Sequence, residues 1–132
     1  SGGELFDHIK MYELLEKEIA IVMFQLIEAI QNVINKSRHR DLKPENIYIE
    51  KDSKTEEVYQ IKISGSGMSK IIDSDEKILK IGTPAYVAPE VIKKQGYGKE
   101  IDMWSAGIIF YTLICRKLPF KNDDRATVFK MI

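Results

Sequence analysis

From Glu16 to Ile34 the apolar residues Ile19, Met23, Leu26, Ile27, Ile30, Val33 and Ile34 recur at steps of three and four. That is the period of a helix burying one face. From Asp102 to Cys115 the chain is nearly all apolar, which predicts a second helix for the first to pack against. Ile47-Tyr48-Ile49 and Ile61-Lys62-Ile63 read as short strands separated by the polar linker Lys51 to Glu57, a plausible hairpin. Residues 64–80 are rich in Ser, Gly, Lys and Asp and hold no period, so they read as a loop. The closing stretch, Val128-Phe129-Lys130-Met131-Ile132, is amphipathic and lacks a cap or Gly stop, so the chain is expected to end inside a helix. There is no internal repeat and no low-complexity tract.

Composition narrows the partners. The 132 residues carry 20 basic and 20 acidic side chains. A net charge of zero favours neither nucleic acid nor an anionic membrane as partner. The apolar stretches are broken by Glu28, Asp102 and Thr112, and none reaches the ~20 residues that span a bilayer. No charged-then-apolar signal segment opens the chain. The single cysteine, Cys115, falls in an apolar run and is expected to be a buried structural thiol. One cysteine forms no internal disulfide, so a cytoplasmic setting is expected, with the nucleus as the other possibility.

The chemistry concentrates in His39-Arg40-Asp41-Leu42-Lys43-Pro44-Glu45-Asn46. Alone, such a string could be a charged turn or a helix cap. Its spacing matches a phosphotransfer loop in which an Asp receives the proton of an attacking hydroxyl and an Asn five residues on holds magnesium. The rest of the chain supplies context in order. Ser1-Gly2-Gly3-Glu4-Leu5-Phe6-Asp7-His8-Ile9 precedes it, Gly82-Thr83-Pro84-Ala85-Tyr86-Val87-Ala88-Pro89-Glu90 follows, and Asp102-Met103-Trp104-Ser105-Ala106-Gly107 opens the apolar helix.

With these motifs the chain resembles the serine/threonine protein kinases, in particular the calcium/calmodulin-dependent and calcium-dependent branches. The resemblance implies an α+β, protein-kinase-like fold: a mainly helical C-terminal lobe with short β-hairpins, running over residues 1–132 from just after the hinge to shortly after the Asp-x-Trp helix. The Gly-rich loop and strand Lys of the N-terminal lobe have no counterpart here, so that lobe is expected to be absent. ATP and Mg2+ are the implied cofactors. The implied partners are a protein substrate with basic residues near its target Ser or Thr, the missing lobe, and a calcium-sensing regulator.

The resemblance also assigns residues. Asp41, Lys43, Asn46 and Thr83 match catalytic positions, with Lys43 neutralising the transferring phosphoryl group and Thr83 bonding the catalytic Asp and Lys. Glu4, Lys43, Asn46 and Tyr48 match nucleotide-contacting positions, and Asn46 a metal ligand. Glu4 and Glu45 match acidic positions that face basic substrate residues, although each could be a solvated surface Glu. Arg40 matches the partner of an activation-segment phosphate, with Ser69 and Ser74 as possible phosphosites; Asp73-Ser74-Asp75-Glu76 offers fixed negative charge or is a solvated acidic turn. Asp102 is either an N-cap or, by resemblance, a tie to the backbone around His39 and Arg40. Glu90 matches a residue whose Arg partner would lie beyond Ile132.

Three departures count against catalysis. After Ile61-Lys62-Ile63 the kinase pattern requires Asp-Phe-Gly, and this chain reads Ser64-Gly65-Ser66-Gly67, with Gly65 where the magnesium-binding Asp belongs. Loss of that ligand could cost about 3 to 5 kcal/mol of transition-state stabilisation. Ser64 is a poor substitute, because hard cations prefer charged oxygen donors. Tyr48 replaces a small aliphatic floor of the adenine pocket, which either crowds the base or is absorbed by a rotamer change. Ser37-Arg38 replaces apolar strand residues before His39. Activity is therefore expected to be lost or very weak, and a non-catalytic scaffold is the alternative.

Overall fold

In the computed structural model, which describes residues 3–34, 39, 41–64, 83–98 and 100–132, the regular elements are five α-helices, two 3-10 turns and one antiparallel strand pair. Helix α1, Leu5–Met11, buries Leu5, His8 and Ile9. Helix α2, Glu16–Ile34, has the bounds its apolar period predicts. Its centre line is Val22, Leu26 and Ile30, all buried, with Ile19 and Met23 packed half-buried beside them. Val22 was absent from the expected stripe, and Ile27 is only half-buried. The reason is geometric: steps of four keep 22, 26 and 30 on one line of a helix, whereas 27 lies off it. The side chains of Val33 and Ile34 fall outside the described residues.

The hairpin is longer than its two apolar triplets. Strand β1, Ile47–Lys51, and strand β2, Val58–Ile63, pair with Ile47 opposite Ile63 and Ile49 opposite Ile61, and with a bulge at Glu50/Lys51. Pairing extends to the turn because Asp52 closes it: its Oδ1 accepts the N-H groups of Lys54 at 2.8 Å and Thr55 at 3.0 Å. Ile47, Ile49, Val58 and Ile61 point inward and are buried. On the other side of β1, the Ile49 N-H donates to Gly3 O at 3.0 Å and Glu4 bridges Tyr48.

Three short pieces start with proline, whose fixed φ suits a first helical position and whose missing N-H is no loss there. They are the 3-10 turns Pro44–Asn46 and Pro84–Tyr86 and the one-turn helix α3, Pro89–Ile92. Helix α4, Glu100–Cys115, packs against α2 as expected. The final helix α5, Arg125–Met131, agrees with the reading of the closing stretch and is capped by Asp124, whose side chain accepts the Thr127 N-H at 2.8 Å.

Helix α4 buries one side only. Ile101, Asp102, Ser105, Ala106, Ile108, Ile109, Thr112 and Leu113 are buried, while Met103, Phe110, Tyr111 and Ile114 are exposed. Cys115 lies on the exposed side, which corrects the expectation of a buried thiol. An apolar run of this length covers every face of a helix, and burial of the run does not bury its last residue. One core joins α1, α2, α4, the inner hairpin face and Leu42 of the loop before Pro44, and a smaller cluster holds Val87, Ala88, Val91 and Ile101. Each large aliphatic side chain fully buried there contributes about 1.5 to 3 kcal/mol. Among the described residues no helix is long and apolar enough to cross a membrane.

Candidate active site

Leu42 anchors the loop between His39 and Asn46 by its burial at 2% exposure, and its neighbours Asp41 and Lys43 are half-buried beside it. The chain then turns once through Pro44–Asn46, with the Asn46 N-H donating to Lys43 O at 3.0 Å. That turn brings the Asn46 side chain back over Asp41. Its Nδ2 donates to Asp41 O at 2.8 Å and to Asp41 Oδ2 at 3.1 Å. Lys43 Nζ stands 3.5 Å from Asp41 Oδ2 and 3.4 Å from Thr83 Oγ1. Four of the expected residues, Asp41, Lys43, Asn46 and Thr83, therefore meet, although Thr83 is forty positions along the chain.

Two buried side chains hold this loop to the core. His39, 5% exposed, receives support from Asp102, 3% exposed, whose Oδ2 accepts the His39 N-H at 2.9 Å. Asp102 is the third residue of α4 and not its cap, so the tie to the loop is the reading that holds. The His39 ring Nε2 lies 2.9 Å from Ser64 O. A carbonyl only accepts, so Nε2 donates to it. Ser64 closes the circuit by donating its N-H to Asn46 O at 2.8 Å. The end of β2, and with it the position of residue 64, is thereby fixed against the loop.

The remaining expected residues sit around this cluster. Glu45 is half-buried and its Oε2 is buried with no partner among the described residues. Burial, and secondarily the Glu45 carboxylate, push the Tyr86 phenol well above its usual range. Glu4 and Tyr48 are brought together by their backbone bridge, with Tyr48 40% exposed on the outer hairpin face. Glu90, half-buried, is the second residue of α3. Arg40, Gly65, Ser69, Ser74 and the Ser37-Arg38 pair lie outside the described residues. Sequence reasoning missed Glu18 and Gln25 of α2 and Ser105 of α4, whose hydroxyl lies 2.9 Å from Tyr86 O. The available signal was a polar residue interrupting an apolar helix face.

A family model described as protein kinase domain matches residues 1–132. The chain belongs to the protein kinase family. Its relatives place it with serine/threonine kinases. It is 41% identical over 137 residues to calcium/calmodulin-dependent protein kinase type 1 of Macrobrachium nipponense, covering 100% of this chain and 38% of that protein. The same kinase of Caenorhabditis elegans is 41% identical over 135 residues, covering 100% and 38%. The phosphorylase b kinase gamma catalytic chain, liver/testis isoform, of Rattus norvegicus is 38% identical over 139 residues, covering 98% and 33%. This kinase-family chain thus spans well under half the length of these curated relatives.

Protein kinases as a family use ATP and magnesium. The donors described here fit the metal incompletely. The Asn46 amide nitrogen is committed to Asp41, which leaves one neutral oxygen, Oδ1. Among the described residues no three His, Cys, Asp or Glu side chains are grouped to hold an ion. Magnesium is bound through carboxylates as well as phosphates, and the carboxylate in this cluster is that of Asp41.

Proposed function

We propose that the chain carries the acceptor side of a serine/threonine kinase site whose phosphotransfer groups are in place and whose metal site is deficient. The observation that carries this is the meeting of Lys43 and Asn46 on the Asp41 carboxylate, with Thr83 against Lys43 Nζ. In the reaction a Ser or Thr hydroxyl oxygen attacks the γ-phosphorus of ATP. The new P-O bond forms as the bond to the ADP oxygen breaks, and the hydroxyl proton passes to Asp41. Lys43 meets the negative charge on the transferring group, and Thr83 holds Lys43 and the loop in register. Asn46 keeps the Asp41 carboxylate oriented. No step is routed through magnesium, because the chain's own donors do not complete its site.

Glu45 supports a preference for substrates with basic residues, since a buried, unpartnered carboxylate oxygen beside the loop is suited to a cation. Glu4 would supplement it at the hinge side, where Tyr48 would face the base. Arg40, with Ser69 or Ser74, would regulate by phosphate pairing, and a calcium-sensing partner and a cytoplasmic or nuclear location complete the reading.

The test is direct. The purified chain, with ATP and magnesium, should give no phosphate transfer to a basic serine peptide above background; turnover that vanishes in Asp41→Asn would sink the deficiency. Joined to the upper lobe of a relative, the chain should gain metal-dependent ATP binding on Gly65→Asp, seen as a thermal shift. An equal response in parent and variant would move the defect to Tyr48. Gly65 also favours a second reading, a non-catalytic scaffold, which gains if the Gly65→Asp protein binds MgATP and still transfers nothing.

A further inference from the structure

The geometry points to Gln25, on α2, as a positioning residue for the phosphotransfer loop, acting through the outer edge of β2. A side-chain amide presents one acceptor and two donors, the same groups a neighbouring strand would offer. Gln25 uses both. Its Oε1 accepts the Ile61 N-H at 3.0 Å and its Nε2 donates to Tyr59 O at 3.0 Å. It thus stands in for a third strand on the side of β2 that β1 does not occupy.

The path from there to the loop is short and bonded throughout. Three residues after Ile61, Ser64 donates its N-H to Asn46 O at 2.8 Å and accepts from His39 Nε2 at 2.9 Å. His39 is in turn held by Asp102. Apolar packing shares the task, since Leu26 and Ile30 of α2 and Val58 and Ile61 of β2 belong to one core, but a pocket of about 410 Å3, lined by Gln25, Ala29, Ile30, Ile61, Ile63 and His39 among others, leaves the β2 end beside His39 less filled. Next to that pocket the amide bonds fix the edge of β2 on α2 at Tyr59 and Ile61, and with it where residue 64, the one before Gly65, meets Asn46.

This inference rests on the kinase reading of the loop, but its test reads geometry and leaves that reading standing if it fails. In the full chain with 15N-labelled histidine, the His39 Nε2-H resonance and the amide exchange of Ile61 and Ser64 are followed in Gln25→Met, Gln25→Glu and Gln25→Asn. In Gln25→Met, exchange at Ser64 should quicken by roughly tenfold and the His39 Nε2-H signal should broaden or vanish, while α4 amides keep their protection. Gln25→Glu keeps an acceptor for Ile61 and should rescue the His39 signal. Gln25→Asn, one methylene too short to reach both groups, should behave like Gln25→Met and takes its place if that variant does not fold. An unchanged His39 signal and Ser64 exchange, with only Ile61 affected, would overturn the proposal, as would equal behaviour of the Glu and Asn variants.

Discussion

His8 is buried in α1 against Tyr12, ring centroids 4.9 Å apart. Burial, with help from the Lys51 charge and against the pull of Glu18, holds its pKa below the usual histidine value of 6.5. A group whose folded pKa is depressed relative to the unfolded chain binds more protons when unfolded. For a histidine this means stability is fully present above about pH 6.5 and is lost as pH falls below it. Thermal melts from pH 8 to 5 should therefore show a downward slope below pH 6.5 that His8→Gln flattens; equal slopes would remove His8 as the cause. Single residues divide sharply in how readable they were. Asp41, Lys43 and Asn46 announce themselves because their chemistry depends on local spacing. Asp102 was ambiguous because an acidic residue in a first turn serves equally as a cap or a tether, and only the 2.9 Å bond from His39 decides. Cys115 was misread because composition fixes a helix's apolarity and not which side of it faces out.

Glu18 couples two elements. One carboxylate oxygen accepts the Leu15 N-H at 2.9 Å, closing the start of α2, and the other accepts the Val58 N-H at 3.1 Å, at the start of β2. Glu18→Leu leaves two backbone donors without partners, and it should destabilise the chain by about 2 to 4 kcal/mol in denaturant titration. Glu18→Gln retains one acceptor and should cost less than half of that. A Leu variant as stable as the parent would mean the helix start frays freely to water. At this scale α2 was legible because nineteen residues give periods enough to count, and α4 because a nearly all-apolar run of that length is too long for a strand. The seven residues of α1 do not, and neither does α3, whose existence depends on a proline start. The true ends of the hairpin were set by the Asp52 turn, a side-chain bond that hydrophobic pattern does not encode.

For the molecule as a whole, the apolar side of α4 left open is the dominant liability. Met103, Phe110, Tyr111 and Ile114 face outward there, Ile114 at 56% exposure, and Phe24 of α2 stands 70% exposed. A groove of about 620 Å3 runs between α2 and α4, lined by Ile19, Phe110, Leu113 and Ile114 among others. Contiguous apolar surface drives association, so the chain should sediment as more than a monomer at micromolar concentration. Phe110→Lys with Ile114→Lys should restore a monomer without lowering the melting temperature; a monodisperse parent would show the face to be harmless. The clasp on β2 decides what form such assemblies take. Strands recruit other strands through unpaired backbone groups, and on β2 those of Val58, Tyr59 and Ile61 are already engaged by Glu18 and Gln25. Clumps formed by gentle warming should accordingly stay helical in the infrared and leave amyloid dyes dark, whereas Glu18→Leu with Gln25→Met should open that seam and let fibrils seed.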